Sequence, residues 1–85
     1  MEICSKFILY GTDGCHLCDE ARDMVDMVLS SQNSPIDYAY IDIIADDQLL
    51  DLYGESIPVI QAIQSNRQLC WPFDGLKLFE FLKEL

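Results

Sequence analysis

Two cysteines, Cys15 and Cys18, stand three apart in the stretch YGTDGCHLCDEA at 10–21. Three chemistries are open to such a pair: a reversible disulfide, half of a zinc site, or none, if both thiols are core residues. Residues three apart on a helix hold their Cβ atoms about 5–6 Å apart, and a disulfide needs about 3.5–4.5 Å. A small local adjustment therefore makes or breaks the bond, which is what a redox switch requires. A zinc site usually takes four ligands, often as two close pairs. Here Cys4 and Cys70 are single and distant, and His16 lies inside the motif, so metal binding is the weaker reading. Two inert core cysteines would seldom fall in the first helical turn after a glycine-containing loop.

The elements that must position the pair follow from the flanking pattern. KFILY at 6–10 is apolar and β-prone and is bounded by Gly11 and Gly14, which reads as a buried strand. A helix follows from about 15 to 30, with Leu17, Ala21, Met24, Val25, Val28 and Leu29 at helical spacing. SSQNSP at 30–35 breaks it, and IDYAYIDI at 36–43 reads as a second strand. A short helix is expected over 45–54, with an aspartate at its start and Gly54 as its stop. IPVIQAI at 57–63 and QLCW at 68–71 read as strands joined by a turn at 65–67, and a last helix spans 74–85 with Asp74 as its cap. On that helix Phe79, Leu82 and Leu85 are expected to face the core. The order βαβαββα predicts one α/β domain over 1–85. Its first two strands are parallel through a helical crossover and its last two antiparallel, in a four-stranded mixed sheet with helices on its faces.

That frame puts the cysteine pair where a strand gives way to a helix N-terminus. The free N–H groups and dipole there stabilise a thiolate, which is the attacking species. Cys15, after Gly14, is the expected exposed nucleophile. Cys18, one turn in and on the face of Ala21 and Val25, is the expected buried resolving thiol. Asp13, Asp19, Glu20 and Asp23 oppose a thiolate, answered nearby only by Arg22. His16 is a candidate proton donor, local positive charge or plain loop residue. Cys4 and Cys70 are expected to be small buried residues. Trp71 and Phe73 are candidates for a substrate groove, with core packing the stronger expectation. Tyr10 lies close to the motif, in a packing or a redox role.

Composition narrows the partners. The net charge is −10, from 15 acidic and 5 basic residues, which argues against nucleic acid and anionic membranes. The apolar runs are too short for a membrane helix, and MEICSKFILYG lacks the basic start and long apolar region of a signal peptide. A cytoplasmic location is therefore expected, where thiols stay reduced.

FILYGTDGCHLCDEA resembles the active-site segment of the glutaredoxins, within the thioredoxin-fold superfamily. SIPVI at 56–60 resembles the stretch that carries the fold's cis-proline. The CHLC motif and WPFD at 71–74 are most similar to a branch of small bacterial glutaredoxin-like proteins. The resemblance covers nearly the whole chain. It implies a thioredoxin-like fold with sheet order 2-1-3-4 and a cis Pro58 packed beside Cys15. The Ile57 backbone would then face the site, open to strand-like pairing with a peptide or glutathione. It also implies a thiol–disulfide oxidoreductase acting through Cys15 and Cys18, with no metal or organic cofactor required. Substrates would be disulfides on a protein or small molecule, and the electron donor glutathione or a thioredoxin reductase-type enzyme. Three departures bear on glutathione. Thr12 replaces a Lys or Arg, His16 and Leu17 replace Pro-Tyr, and CWPFDG lacks a glycine pair, although Asp74 matches the family's acid. With the local carboxylates, these count against glutathione as a tight ligand and leave it a weak candidate co-substrate. The alternatives are a non-catalytic binding or redox-sensing module and, less favoured, metal or iron–sulfur carriage.

Overall fold

The computed structural model describes residues 5–32 and 37–84. The chain forms β1 (Ser5–Gly11), α1 (His16–Gln32), β2 (Asp37–Asp42), a 3₁₀ turn (Ile43–Ala45), α2 (Asp47–Tyr53), β3 (Val59–Ala62), β4 (Gln68–Cys70) and α3 (Gly75–Lys83). The sheet order is β2-β1-β3-β4, with β1 parallel to β2 and antiparallel to β3, and β3 antiparallel to β4. Element order, strand directions and strand order agree with the expectation.

The alternation of β1 builds a core on each face of the sheet. Phe7 and Leu9, both fully buried, pack with Ala21 and Val25 of α1, Ile60 and Ala62 of β3, and Leu78, Phe81 and Leu82 of α3. Tyr10 points the other way and packs with Val59, Ile43 of the 3₁₀ turn, and Leu49 and Tyr53 of α2. Burying each large apolar side chain contributes about 1.5–3 kcal/mol, so β1 is pinned from both sides. The strand that leads into the cysteine pair is thus held between two cores.

Several local readings need correction. The helix expected over 45–54 is α2, but Ile43, expected to end the second strand, instead opens a 3₁₀ turn that precedes it. Asp42 accepts the Ile44 N–H at 3.0 Å and starts the 3₁₀ turn, and Asp46 accepts the Gln48 N–H at 2.8 Å and starts α2. Each aspartate satisfies orphan donors of its own first turn, so the chain caps twice. Gly54 does end α2, but in helical conformation at φ −52°, without the left-handed turn that favours glycine. Phe79 is exposed, not core-facing. The buried stripe of α3 is Leu78, Phe81 and Leu82, and a residue next to position 78 is turned by about 100° from it. Leu17, in the first turn of α1, is also exposed. Cys70 is exposed rather than buried, because it ends the edge strand on the face served by the seven-residue α2. Cys4 and Leu85 lie outside the described residues.

Candidate functional site

The site is built where three chain segments meet at one end of the sheet. β1 ends at Gly11, and Thr12, Asp13 and Gly14 turn into α1, with Gly14 at φ 80°, in the left-handed region that suits glycine. Cys15 stands at the N-cap of α1. Its carbonyl accepts the Asp19 N–H at 3.1 Å, and its Sγ accepts the Cys18 N–H at 3.2 Å. The sulfur thus takes the place that a Ser or Asp oxygen fills in an ordinary cap.

The two thiols are unequal. Cys15 is half-buried and Cys18 has no exposed surface. Burial pushes the Cys18 thiol up to about 12, and its S–H bond to Cys15 and the charges of Cys15 and Asp19 act the same way, against the Thr12 N–H, which favours the anion. Cys18 is therefore held as a thiol beside Cys15. Its helical neighbours Ala21 and Val25 are fully buried, as the spacing predicts.

Thr12 sits between two groups. Its backbone N–H serves Cys18. Its hydroxyl is buried with no partner at full hydrogen-bond geometry, yet it faces Asp42. The Ile44 N–H, the Thr12 hydroxyl and the Asp13 N–H together hold the Asp42 carboxyl below the usual carboxylate range. Where the resemblance leads one to expect a cation, this chain places a threonine against a carboxylate.

Tyr40 and Gly11 are site residues that the sequence reading missed. A Cβ at Gly11 would lie 2.6 Å from the Tyr40 Oη and 3.2 Å from both Cβ and Sγ of Cys18. Only a glycine lets the tyrosine hydroxyl and Cys18 close over the end of β1. Burial, then the nearness of Cys18, raise the Tyr40 hydroxyl above its ordinary value, against the effect of Arg22. The Arg22 guanidinium lies 4.5 Å from the Tyr40 ring centroid, so the base nearest the motif is turned onto an aromatic face.

The other predicted residues are placed as follows. The Ile57–Pro58 peptide is cis, as the resemblance implies, and so is Trp71–Pro72. The Pro58 carbonyl accepts the Trp71 N–H at 3.2 Å, which holds Trp71 just beyond β4 at the site end of the sheet. The Ile57 N–H is already donated to the Tyr53 carbonyl at 3.1 Å, which narrows the strand-like pairing expected there. Asp74 caps α3, accepting the Lys77 N–H at 2.8 Å. His16 is exposed at the start of α1. Phe73 is buried in the core, while Trp71 is half-buried against it, so the two aromatics divide the roles open to them. Tyr10 has a packing role: it stacks on Tyr53 at 4.6 Å and bonds Gln61. Among the described residues, no three His, Cys, Asp or Glu side chains converge into a metal-holding group.

A mixed sheet in this order, with a cysteine pair at the β1–α1 junction and a cis-proline before β3, defines a thioredoxin-fold domain. Thioredoxin 1 from Thermosipho africanus shares that fold, at 13% identity with a TM-score of 0.67, over 93% of this chain and 91% of that one. Within the fold, the chain belongs to the glutaredoxin-like domain family (DUF836), whose model matches residues 6–83. Similar solved structures include XcR50 from X. campestris, 30% identical over 93% of this chain and 97% of that one, with a TM-score of 0.79. Ne2328 from Nitrosomonas europaea is 26% identical over 95% of this chain and 94% of that one, with a TM-score of 0.72. No curated protein matches the chain.

Proposed function

We propose that the protein is a thiol–disulfide oxidoreductase in which Cys15 attacks and Cys18 resolves. The observation that carries this reading is the asymmetry of the pair: Cys15 Sγ accepts the Cys18 N–H at the helix cap, and Cys18 is buried and protonated beneath it. The Cys15 thiolate attacks one sulfur of a partner disulfide. That S–S bond breaks, a mixed disulfide forms, and the released partner thiolate takes a proton from water. Cys18 then attacks Cys15 Sγ as its proton passes to the departing partner sulfur. The second partner thiol leaves, and the dithiol is left as a disulfide, oxidised by two electrons. The Tyr40 hydroxyl and the Thr12 N–H lie beside Cys18, where negative charge develops in that step.

The residues around the pair supply the chemistry without a metal or organic cofactor. The setting favours a disulfide on a protein or small molecule over glutathione. Thr12 and Asp42 stand where a cation would meet an anionic ligand, and one Asp74 oxygen is engaged in capping α3. No helix among the described residues is long and apolar enough to cross a membrane; a reducing cytoplasm is the compartment in which this dithiol would work as a reductant. The test is turnover of a model disulfide with either glutathione and its reductase or a thioredoxin reductase-type enzyme as electron source. Turnover that is lost in both Cys15→Ser and Cys18→Ser supports the reading. Absence of turnover with either donor favours a binding module instead.

A further inference from the structure

An open groove of about 430 Å³ runs along α1 from Glu20, two residues past Cys18, with the start of α3 on its other side. Its lining is Glu20, Asp23, Met24, Met27, Trp71 and Gly75. Glu20, Asp23 and Met27 continue the stripe that His16 begins, at spacings of four, three and four, so all four share one face of α1. Met27 is 71% exposed, unusual for a large apolar side chain on a helix whose other face is buried. Trp71 lines the other side and is tied by its N–H to the carbonyl of the cis Pro58. Glu20 lies about 7 Å along α1 from Cys15 and Met27 about 18 Å, at 1.5 Å per residue.

We infer that this groove receives a cationic segment of the protein whose disulfide Cys15 attacks, a deepening that rests on the oxidoreductase reading. The chemistry of the lining selects the occupant. Lys and Arg lay an aliphatic stem on apolar surface and keep a charged head in a polar setting. Met24, Met27 and Trp71 offer the stem a soft, polarisable floor, and the indole face also attracts cations. Glu20 and Asp23 meet the head. Arg22, the base between those two acids in the chain, is withdrawn onto Tyr40 and does not neutralise them. An acidic segment, or an anionic tripeptide, would meet two carboxylates in the groove and a molecule of net charge −10. In an extended chain at about 3.3 Å per residue, Glu20 is matched by a basic residue about two positions from the substrate cysteine and Asp23 by one about four away.

The test uses the full-length chain, reduced, in single turnover. The probes are three short peptides, each with one cysteine capped as a mixed disulfide with 2-mercaptoethanol and flanked at those positions by Lys, Gln or Glu. Hydroxyethyl disulfide is the uncharged control. The quantity read is the ratio of second-order rate constants for the Lys and Glu peptides, because removing acids near Cys15 alters every rate. That ratio is expected to be about tenfold or more at low salt and to shrink at high salt, since rim charges act on association. Glu20→Gln with Asp23→Asn should bring it to about twofold. Asp47→Asn with Asp51→Asn on α2, a charge-matched change away from the groove, should leave it unaltered. A wild-type ratio near one, or one that survives loss of Glu20 and Asp23, overturns the inference while the oxidoreductase reading stands. Failure of the wild type to reduce hydroxyethyl disulfide overturns that reading, and the inference with it.

Discussion

Gly11 gives the sharpest structural test of how the site is closed. Alanine there adds a methyl group 2.6 Å from Tyr40 Oη and 3.2 Å from Cys18 Cβ and Sγ, distances at which neighbours must move. The Tyr40 ring is held by the Arg22 guanidinium on one face, so the hydroxyl does not swing away freely. Overpacking of this kind costs about 1–3 kcal/mol. We expect Gly11→Ala to destabilise the fold by about 2 kcal/mol, which is about 8–16 °C of Tm for a domain of this size. Tyr40→Phe deletes the closest atom and leaves the two Cys18 contacts. In that background the cost of Gly11→Ala should fall by about half, a coupling energy of about 1 kcal/mol, within the range for residues in contact. Urea unfolding of the four proteins, with equal m-values, measures the cycle. A Gly11→Ala variant within about 0.5 kcal/mol of wild type, or an undiminished cost in the Tyr40→Phe background, refutes the packing argument.

Three further predictions follow from the same geometry. Cys18 keeps its proton to about 12 in the folded chain, against an ordinary value of 9.0. Between those values the unfolded chain binds fewer protons, so stability falls as pH rises from about 9 to 12. The slope should be shallower in Cys18→Ala, measured by urea unfolding across that range, and equal slopes would contradict the burial argument. In a variant without Cys4 and Cys70, iodoacetamide should modify Cys15 first, and Cys18 should resist alkylation even when Cys15 is serine; peptide mapping reads both. Asp74→Ala removes the acceptor of the Lys77 N–H at the start of α3 and should cost about 1 kcal/mol, read as a lower urea midpoint with an unchanged m-value.

The architecture was legible because the strands carry their own instructions. The apolar run of β1, a long amphipathic α1 and the turn at 65–67 leave few topologies open, and the observed one is among them. Cys15 and Cys18 were legible too, since a strand-to-helix junction fixes one thiol at a cap and the other a turn inside. What the sequence hid depends on register and coverage. Tyr40 reaches the site because β2 pairs with β1 so that Tyr40 lies opposite Leu9 and Asp42 opposite Gly11. No local pattern states that offset, and Gly11 therefore read only as a strand end. The exposure of Cys70 reflects how little of the edge strand the short α2 covers. Phe79 has the right chemistry for a core and the wrong phase on α3 by one residue. The cis Pro58 was expected from resemblance rather than from the residues around it.

The central claim is that Cys15 attacks and Cys18 resolves, and trapping tests it most directly. In a chain lacking Cys4 and Cys70, the reduced protein is mixed with one equivalent of hydroxyethyl disulfide and its intact mass is followed. The account predicts that Cys18→Ser accumulates one stable mercaptoethanol adduct on Cys15. Wild type should end two hydrogens lighter, as an internal disulfide, and Cys15→Ser should acquire no adduct on the same timescale. Persistent adducts on wild type, or equal labelling of Cys18 when Cys15 is serine, would contradict it.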